Sequence, residues 1–232
     1  MKVASQLKRC LCSAYLPCAA LGSVCKNVRY KPKTGLVPRG FTGAFGKITD
    51  VKLIICLAEP GEPKNGESYN TGLSPSALID DIANRVADAY RWSATHKGRI
   101  SFHRNVCCVL NYCWPGLSID EQLKRTWITE STLCSAAQTT SSVPKAIEFE
   151  CAERHLQRQI LLFPNAFIIA LGTKAERRLL MCNVTPDVSA RAAGKPLGSI
   201  KEANRTWKIA GRKFQKFILT KSASMRLRKC KP

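Results

Sequence analysis

The chain has 232 residues, 45% of them hydrophobic, and a formal net charge of +21 at pH 7. This length suits one large domain with a real core, and no apolar run reaches the ~18–20 residues that a membrane-spanning helix needs. So large a charge of one sign favours a polyanionic partner, most often nucleic acid, because each Lys or Arg placed against a phosphate releases counterions. A solvated basic surface or a membrane-facing patch is the alternative.

Residues 1–48 are predicted to form an irregular, Cys-containing segment, because Gly and Pro recur in its second half. Its basic opening and apolar continuation only faintly imitate a signal peptide, since Pro17 interrupts the stretch and no cleavage site stands out. The twelve cysteines lack the even spacing of a small secreted disulfide framework. We therefore expect a cytoplasmic protein.

The rest of the chain alternates strand and helix patterns. Two continuous apolar runs have the pattern of strands covered on both faces, and two shorter segments complete the predicted strands: residues 51–57, 126–129, 166–171 and 216–219. Ser74 before Pro75 and three Ser/Thr-x-x-Glu capping patterns mark helix starts. The predicted helices are residues 75–92, a short helix after 118, 147–163, a helix from 173 and a helix from 199 to 207.

Alternation of this kind predicts an α/β fold, a three-layer sandwich with a central, mainly parallel four-stranded sheet over residues 49–220. Residues 221–232 are read as a basic C-terminal tail, either solvated or adding phosphate affinity. Ligands bind beyond the carboxyl ends of parallel strands. The candidate site therefore comprises the strand tips at residues 59–61, 130–131 and 172–173.

Three segments at these tips resemble the uracil-DNA glycosylase superfamily, in its bacterial iron–sulfur branch or an uncharacterised relative. They are IICLAEPGEPKNGESY, TWITESTLCSA and CAERHLQRQILLFPNAFIIALGTKAERRL, at residues 54–69, 126–136 and 151–179. The last segment is the most specific, because a strand, a Leu-Gly pair and a following Ala match in order. The resemblance spans about residues 50–180.

The resemblance implies a DNA glycosylase of base-excision repair, which hydrolyses the N-glycosidic bond of a flipped uracil or other deaminated base. It assigns Glu59 to orienting the water or opposing the cationic sugar. It assigns Tyr69 to stacking on the base and Asn70 to substrate binding. It assigns a phosphate-holding role to three residues at a helix start: Gly172, Thr173 and Lys174. The alternatives from the residues alone are an ion-paired loop carboxylate at Glu59, an aromatic plug at Tyr69 and a plain turn at Gly172.

Two departures leave catalysis open. Glu130 stands where the family has Asn, and an ionised carboxylate only accepts hydrogen bonds, which would suit a base with exposed amino groups better than uracil. No His-Pro-Ser loop is found, so His103, in a segment read as a polar loop, is the remaining candidate for a second catalytic residue, with Asn105 beside it as a substrate contact. A catalytically degenerate nucleic-acid-binding module of the same fold is the alternative function.

The resemblance also implies a [4Fe–4S] cluster, because Cys134 and Cys151 match two of the family's four ligands. Cys18 and Cys25 are the N-terminal candidates for the other two, although six residues separate them where the family has two; the pair at residues 10 and 12 fits no better. Zinc and inert thiols are the alternatives. The expected partner is single- or double-stranded DNA, with no membrane contact, and the expected state is a monomer.

Overall fold

The computed structural model describes residues 1–15, 18, 25, 31–63, 65–70, 72–96, 101–135, 143–194 and 198–229, with only the backbone given from 222 onward. The strands are β1 Phe41–Gly43, β2 Leu53–Leu57, β3 Thr126–Glu130, β4 Phe167–Leu171 and β5 Val188–Ala190. The helices are α1 Ser5–Cys12, α2 Pro75–Thr95, α3 Ser101–Cys113, α4 Ile119–Arg125, α5 Lys145–Cys151, α6 Gln157–Leu161, α7 Thr173–Met181 and α8 Ile200–Lys229. A π-helical turn, Ala152–Leu156, joins α5 to α6.

The five strands form one sheet in the order β1-β3-β2-β4-β5. The four strands from β3 to β5 are parallel, and β1 pairs antiparallel with β3 at one edge. Central β2 is buried along its whole length, with Ile55 opposite Ile128 on one side and Ile169 on the other. The predicted mixed α/β fold with a mostly parallel sheet is confirmed, while the predicted count of four strands is wrong.

The N-terminal residues explain the extra strand. Leu7 and Leu11, one helical turn apart on α1, are fully buried in the main core, so the description of residues 1–48 as irregular is wrong for α1 and β1. Gly43 ends β1 at a φ of +97°, and a Cβ there would lie 2.1 Å from the Thr126 carbonyl oxygen. The glycine that suggested irregular structure is therefore what allows β1 to approach β3.

The last predicted strand, residues 216–219, is also wrong, because it lies within α8. This helix begins with the predicted capping box, in which Ser199 and Glu202 exchange side-chain-to-backbone hydrogen bonds of 3.2 Å. Buried residues then continue at helical spacing: Ala203, Trp207, Ala210 and Phe214. The apolar periodicity over about three turns outweighs a four-residue β-prone run.

Two other predicted helix starts are confirmed and one is corrected. The side chains of Ser74 and Ser118 accept hydrogen bonds from the backbone three residues on. At α7 the N-cap is Gly172 rather than Thr173, and Glu176 accepts from the Ser189 hydroxyl instead of forming a box. Most of the predicted polar loop at 135–146 and the end of the basic tail at 230–232 lie outside the described residues. No helix in the described ranges is long and apolar enough to cross a membrane.

The helical end of the chain can be tested through its core contacts. The Phe214 ring lies 4.6 Å from that of Trp114 and 5.7 Å from that of Phe167, centroid to centroid. We expect Phe214→Ala to lower the free energy of unfolding by about 3–5 kcal/mol, measured by urea denaturation. Leu219→Ala, on the exposed side of the same helix, is the control and should change it by less than about 0.5 kcal/mol. Equal losses for both variants would contradict the assignment of α8 to the core.

Candidate functional site

A cavity of about 1290 Å³ opens at the carboxyl ends of β2, β3 and β4. This exceeds the ~300–1,000 Å³ of most small-ligand pockets, so a base and its sugar would fit. Six of the eight predicted catalytic and substrate-binding residues line it: Glu59, Tyr69, His103, Glu130, Gly172 and Thr173. Adjacent parallel strands thus bring together residues that are far apart in the sequence.

The strand tips are held by Arg178, a fully buried residue of α7. Its Nη1 donates to the Ala58 carbonyl at 2.9 Å, to Glu59 Oε2 at 2.7 Å and to Ser131 Oγ at 3.0 Å. Its Nη2 donates to Glu148 Oε1 on α5 at 2.7 Å. One guanidinium therefore fixes the ends of β2 and β3 relative to two helices.

Glu59 is ion-paired on both oxygens. Besides Arg178, Lys174 donates to Glu59 Oε1 at 2.6 Å. The structure thus shows an ion-paired loop carboxylate, which was one of the two roles predicted for Glu59. The side chain of Glu59 still lines the cavity, with 15% of its surface exposed, and each carboxylate oxygen keeps a lone pair for a further donor.

Glu130 is a further carboxyl group of the cavity, and it forms no ion pair in the part of the chain that the structure describes. Its buried Oε2 has no hydrogen-bond partner among the described residues. Burial is the main cause that raises the pKa of Glu130; Arg39 opposes the rise, Glu59 adds to it and Arg178 opposes it, and the net pKa is about 8. The protonated form, with one O–H donor and one acceptor, is therefore favoured at pH 7 over the acceptor-only carboxylate that the sequence led us to expect.

Tyr69 is held in a network at the cavity wall. Its hydroxyl donates to Glu67 Oε1 at 2.7 Å, and Glu67 also pairs with Arg39 at 2.7 Å. The Arg85 guanidinium covers the ring at 4.9 Å from its centroid. Only 5% of Tyr69 is exposed, as expected for an aromatic plug, so stacking on a base would require Arg85 to move aside.

His103 lines the cavity from a helix, and the two predicted asparagines lie outside the cavity lining. His103 lies in the first turn of α3 rather than in a loop, with its ring edge-to-face against Tyr90 and Phe102 at the cavity wall. Asn105 is buried, and its Nδ2 donates to the Ala193 carbonyl at 2.8 Å. Asn70 Oδ1 accepts from the Gly72 backbone at 2.8 Å within a turn. Both asparagines stay outside the cavity lining and make structural contacts.

Sequence reasoning missed the four arginines of the site and named only Lys174, as a contact of a phosphate. The cavity is lined by Arg39, Arg85, Lys174 and Arg191, while Arg178 lies beneath the strand tips. Lys174 and Arg178 are four residues apart, which places both on one face of α7 toward the strand end. That spacing, just after the Leu-Gly turn, is the signal that would have indicated a paired Glu59.

The four predicted ligand cysteines lie near one another, away from the cavity. The Cys25 and Cys151 side chains are hydrogen-bonded, which lowers the pKa of Cys25. Cys18 Sγ lies 3.4 Å from His155 Nε2. Burial, and then Cys18 and Cys25, raise the pKa of Cys134 to about 12. Thiols suit iron or zinc, but no three His, Cys, Asp or Glu side chains in the described ranges are arranged to hold a metal ion.

No family model, curated protein or solved structure matches the chain. The resemblance to uracil-DNA glycosylases therefore rests on the residues quoted above.

The environment of Glu130 predicts a pH effect on stability. Its folded pKa of about 8 lies above the ordinary value of 4.5, so the folded chain holds one more proton than the unfolded chain between these pH values. Stability from this group is full below about pH 4.5 and is lost as pH rises toward 8. We expect the free energy of unfolding of Glu130→Gln to rise relative to that of the parent chain between about pH 4.5 and 8, by up to ~1.4 kcal/mol per pH unit. Above this range the difference should stay constant.

Urea denaturation at several pH values measures this difference. Glu62→Gln, which removes an exposed carboxyl at the same cavity, is the control and should follow the parent chain. A constant offset between Glu130→Gln and the parent chain at every pH would show that Glu130 is ionised in the folded state.

Proposed function

We propose that the chain is a DNA glycosylase-like hydrolase, which cleaves the N-glycosidic bond of a flipped uracil or other deaminated base held in the strand-end cavity. The observation that carries the proposal is the contrast between two carboxyl groups of one cavity: Glu59 is held between two cations, whereas Glu130 is buried and forms no ion pair among the described residues. Two carboxyl groups in contrasting environments are typical of paired acid and base roles. The three-layer arrangement of the family is part of the same proposal.

The reaction needs little covalent help from the protein. Water oxygen bonds to the sugar carbon and releases one proton to the solvent, the bond from that carbon to the base nitrogen breaks, and its electron pair leaves with the base. A carboxyl that has protonated the base regains its proton from the solvent. Glu130 can donate its proton, or a hydrogen bond, to the departing base, because a pKa of about 8 lies close to the working pH. Glu59, fixed by Lys174 and Arg178, would orient the water and oppose the positive charge that develops on the sugar.

The same protonation state supports reading of a uracil-like edge. A neutral carboxylic acid offers one donor and one acceptor, the pattern that an amide offers at this position in the family that the chain resembles. Arg39, Arg85 and Arg191 at the cavity would attract the phosphates on either side of the base. Lys174, at the first turn of α7, contributes in the same direction.

The alternative is a nucleic-acid-binding module of the same fold without catalysis. The observation that favours it is the double ion pair of Glu59, which uses much of the negative charge that a sugar cation would need. Both readings share the cavity and the cations, so binding alone does not separate them.

Cleavage separates the two functions. Duplex and single-stranded oligonucleotides carrying uracil, hypoxanthine or xanthine are incubated with the protein and then treated with alkali, which breaks abasic strands. We expect scission on at least one substrate, a rate that falls above about pH 8, and a loss of about 10²–10⁴-fold in Glu130→Gln with binding retained.

The control for this assay is Glu153→Gln, which removes an exposed carboxyl from the π-helical turn and should cleave like the parent chain. Binding without scission on every substrate would support the binding module. Scission that Glu130→Gln leaves unchanged would remove Glu130 from the mechanism.

We also propose that Cys18, Cys25, Cys134 and Cys151 bind a metal, as a [4Fe–4S] cluster or zinc. The neighbouring thiols from three separate segments support this. Anaerobically purified protein should contain zinc, or iron with labile sulfide and absorbance near ~400 nm. Cys134→Ser should lose the metal, while Cys113→Ser, at a buried cysteine of α3, should keep it. Protein without bound metal, with four alkylatable thiols at these positions, would establish them as inert.

A further inference from the structure

One face of α8 carries an uninterrupted line of cations. Lys201, Arg205, Lys208, Arg212 and Lys216 are all exposed. At ~100° per residue their spacings place all five within a sector about 80° wide, and at ~1.5 Å rise per residue they span about 22 Å. We call these five residues the α8 ridge.

The ridge charges are not neutralised within the chain. In the described ranges none of the five side chains forms an ion pair. The one acid in the sequence of α8, Glu202, pairs instead with Arg191 at 3.3 Å. The opposite face of α8 is buried through Trp207 and Phe214, so the helix holds its cations on a rigid support.

The helix that carries the ridge contacts the cavity wall through another of its faces. Arg191 and Thr206 both line the cavity, and Thr206 Oγ1 accepts from the Arg191 backbone N–H at 3.0 Å. Trp207 Nε1 donates to the Arg191 carbonyl at 2.7 Å. Farther along α8, Lys221 donates to the Asn165 carbonyl, just before the first residue of β4. The ridge therefore runs from the ligand end of the sheet toward its opposite end.

We propose that the α8 ridge binds the phosphodiester backbone of the nucleic acid whose flipped nucleotide enters the cavity. The proposal rests on the proposed function and narrows its substrate to a polymer, because a 22 Å line of cations gives no advantage with a free nucleoside or mononucleotide.

A membrane surface is the competing partner for a basic helix. Interfacial helices insert a free apolar face into the lipid headgroup region. The apolar face of α8 is already buried against the protein core, and the apolar residues exposed on it, such as Ile209, are isolated among cations. The geometry thus favours phosphates on a flexible or helical strand over a lipid surface.

The test is the salt dependence of binding for the triple variant Arg205→Gln, Lys208→Gln, Arg212→Gln. Its control, Lys2→Gln, Arg9→Gln, Lys47→Gln, loses the same charge at exposed positions away from α8. The probes are a DNA duplex of about 20 base pairs, the matching single-stranded DNA and RNA, and vesicles containing phosphatidylserine. Circular dichroism checks that both variants fold.

We expect the ridge variant to reduce the slope of log Kd against log salt concentration by ~2.7 on the duplex and ~2 on single strands, with the control changed far less. Equal salt-dependence slopes for the two variants would overturn the proposal that the α8 ridge binds nucleic acid. A larger loss of vesicle binding than of oligonucleotide binding would overturn it as well.

The strand-scission assay on the same proteins separates the two proposals. Scission by the parent chain together with equal slopes rejects the ridge and leaves the proposed function intact. A reduced slope in the ridge variant without scission by any chain rejects the glycosylase and leaves the ridge as a nucleic-acid surface.

Discussion

The buried guanidinium of Arg178 is the interaction on which the candidate site depends. It is fully excluded from water, yet it donates to two carboxylates, a carbonyl and a hydroxyl from three different parts of the fold. Burying such a charge is tolerable only with this degree of pairing, and removal of one partner from a buried ion pair typically costs about 3–5 kcal/mol. The tips of β2 and β3 therefore hold their separation because any movement would leave a charge unpaired in the interior.

This pairing also separates the roles of Glu59 and Glu130. Glu59 pairs with Arg178 and Lys174, whereas Glu130, buried in the same cavity, forms no ion pair among the described residues. On the other side of Arg178, burial would raise the pKa of Glu148, but hydrogen bonds from Arg178 and Arg177 outweigh it and hold that pKa below its usual range. Because Glu148 and Cys151 share α5, the same ion pair joins the cavity to the cysteine group.

The sequence predicts those parts of the fold that local patterns determine. The continuous apolar runs give β2 and β4, and Ser74 and Ser118 mark the starts of α2 and α4, because a fully buried strand and a capped helix each have a signature within a few residues. The convergence of Glu59, Tyr69 and Glu130 follows from the rule that parallel strands present their carboxyl ends at one edge.

The errors arise where distant contacts decide. The role of Gly43 in β1 depends on the Thr126 carbonyl of β3, which lies where a Cβ would be. Residues 216–219 stay helical because Phe214 is buried between Trp114 and Phe167. The protonation of Glu130 depends first on its burial among residues that are distant in the sequence, and then on the charges of Arg39 and Glu59. The charge of a buried carboxyl cannot be read from its position in the sequence, because the tertiary structure sets its surroundings.

The α8 ridge differs from the other helical surfaces in how its cations are partnered. On α2 and α4 the acids pair with a neighbouring Lys or Arg, so part of the positive charge there is neutralised. The five ridge cations have no such partners in the described ranges, and they share one face of a helix whose other face is fixed in the core. The ridge carries only five of the 37 Lys and Arg residues, so the +21 is not explained by it alone. What distinguishes the ridge is the alignment of like charges on a rigid helix that also contacts the cavity, which is where a bound polyanion would gain from them.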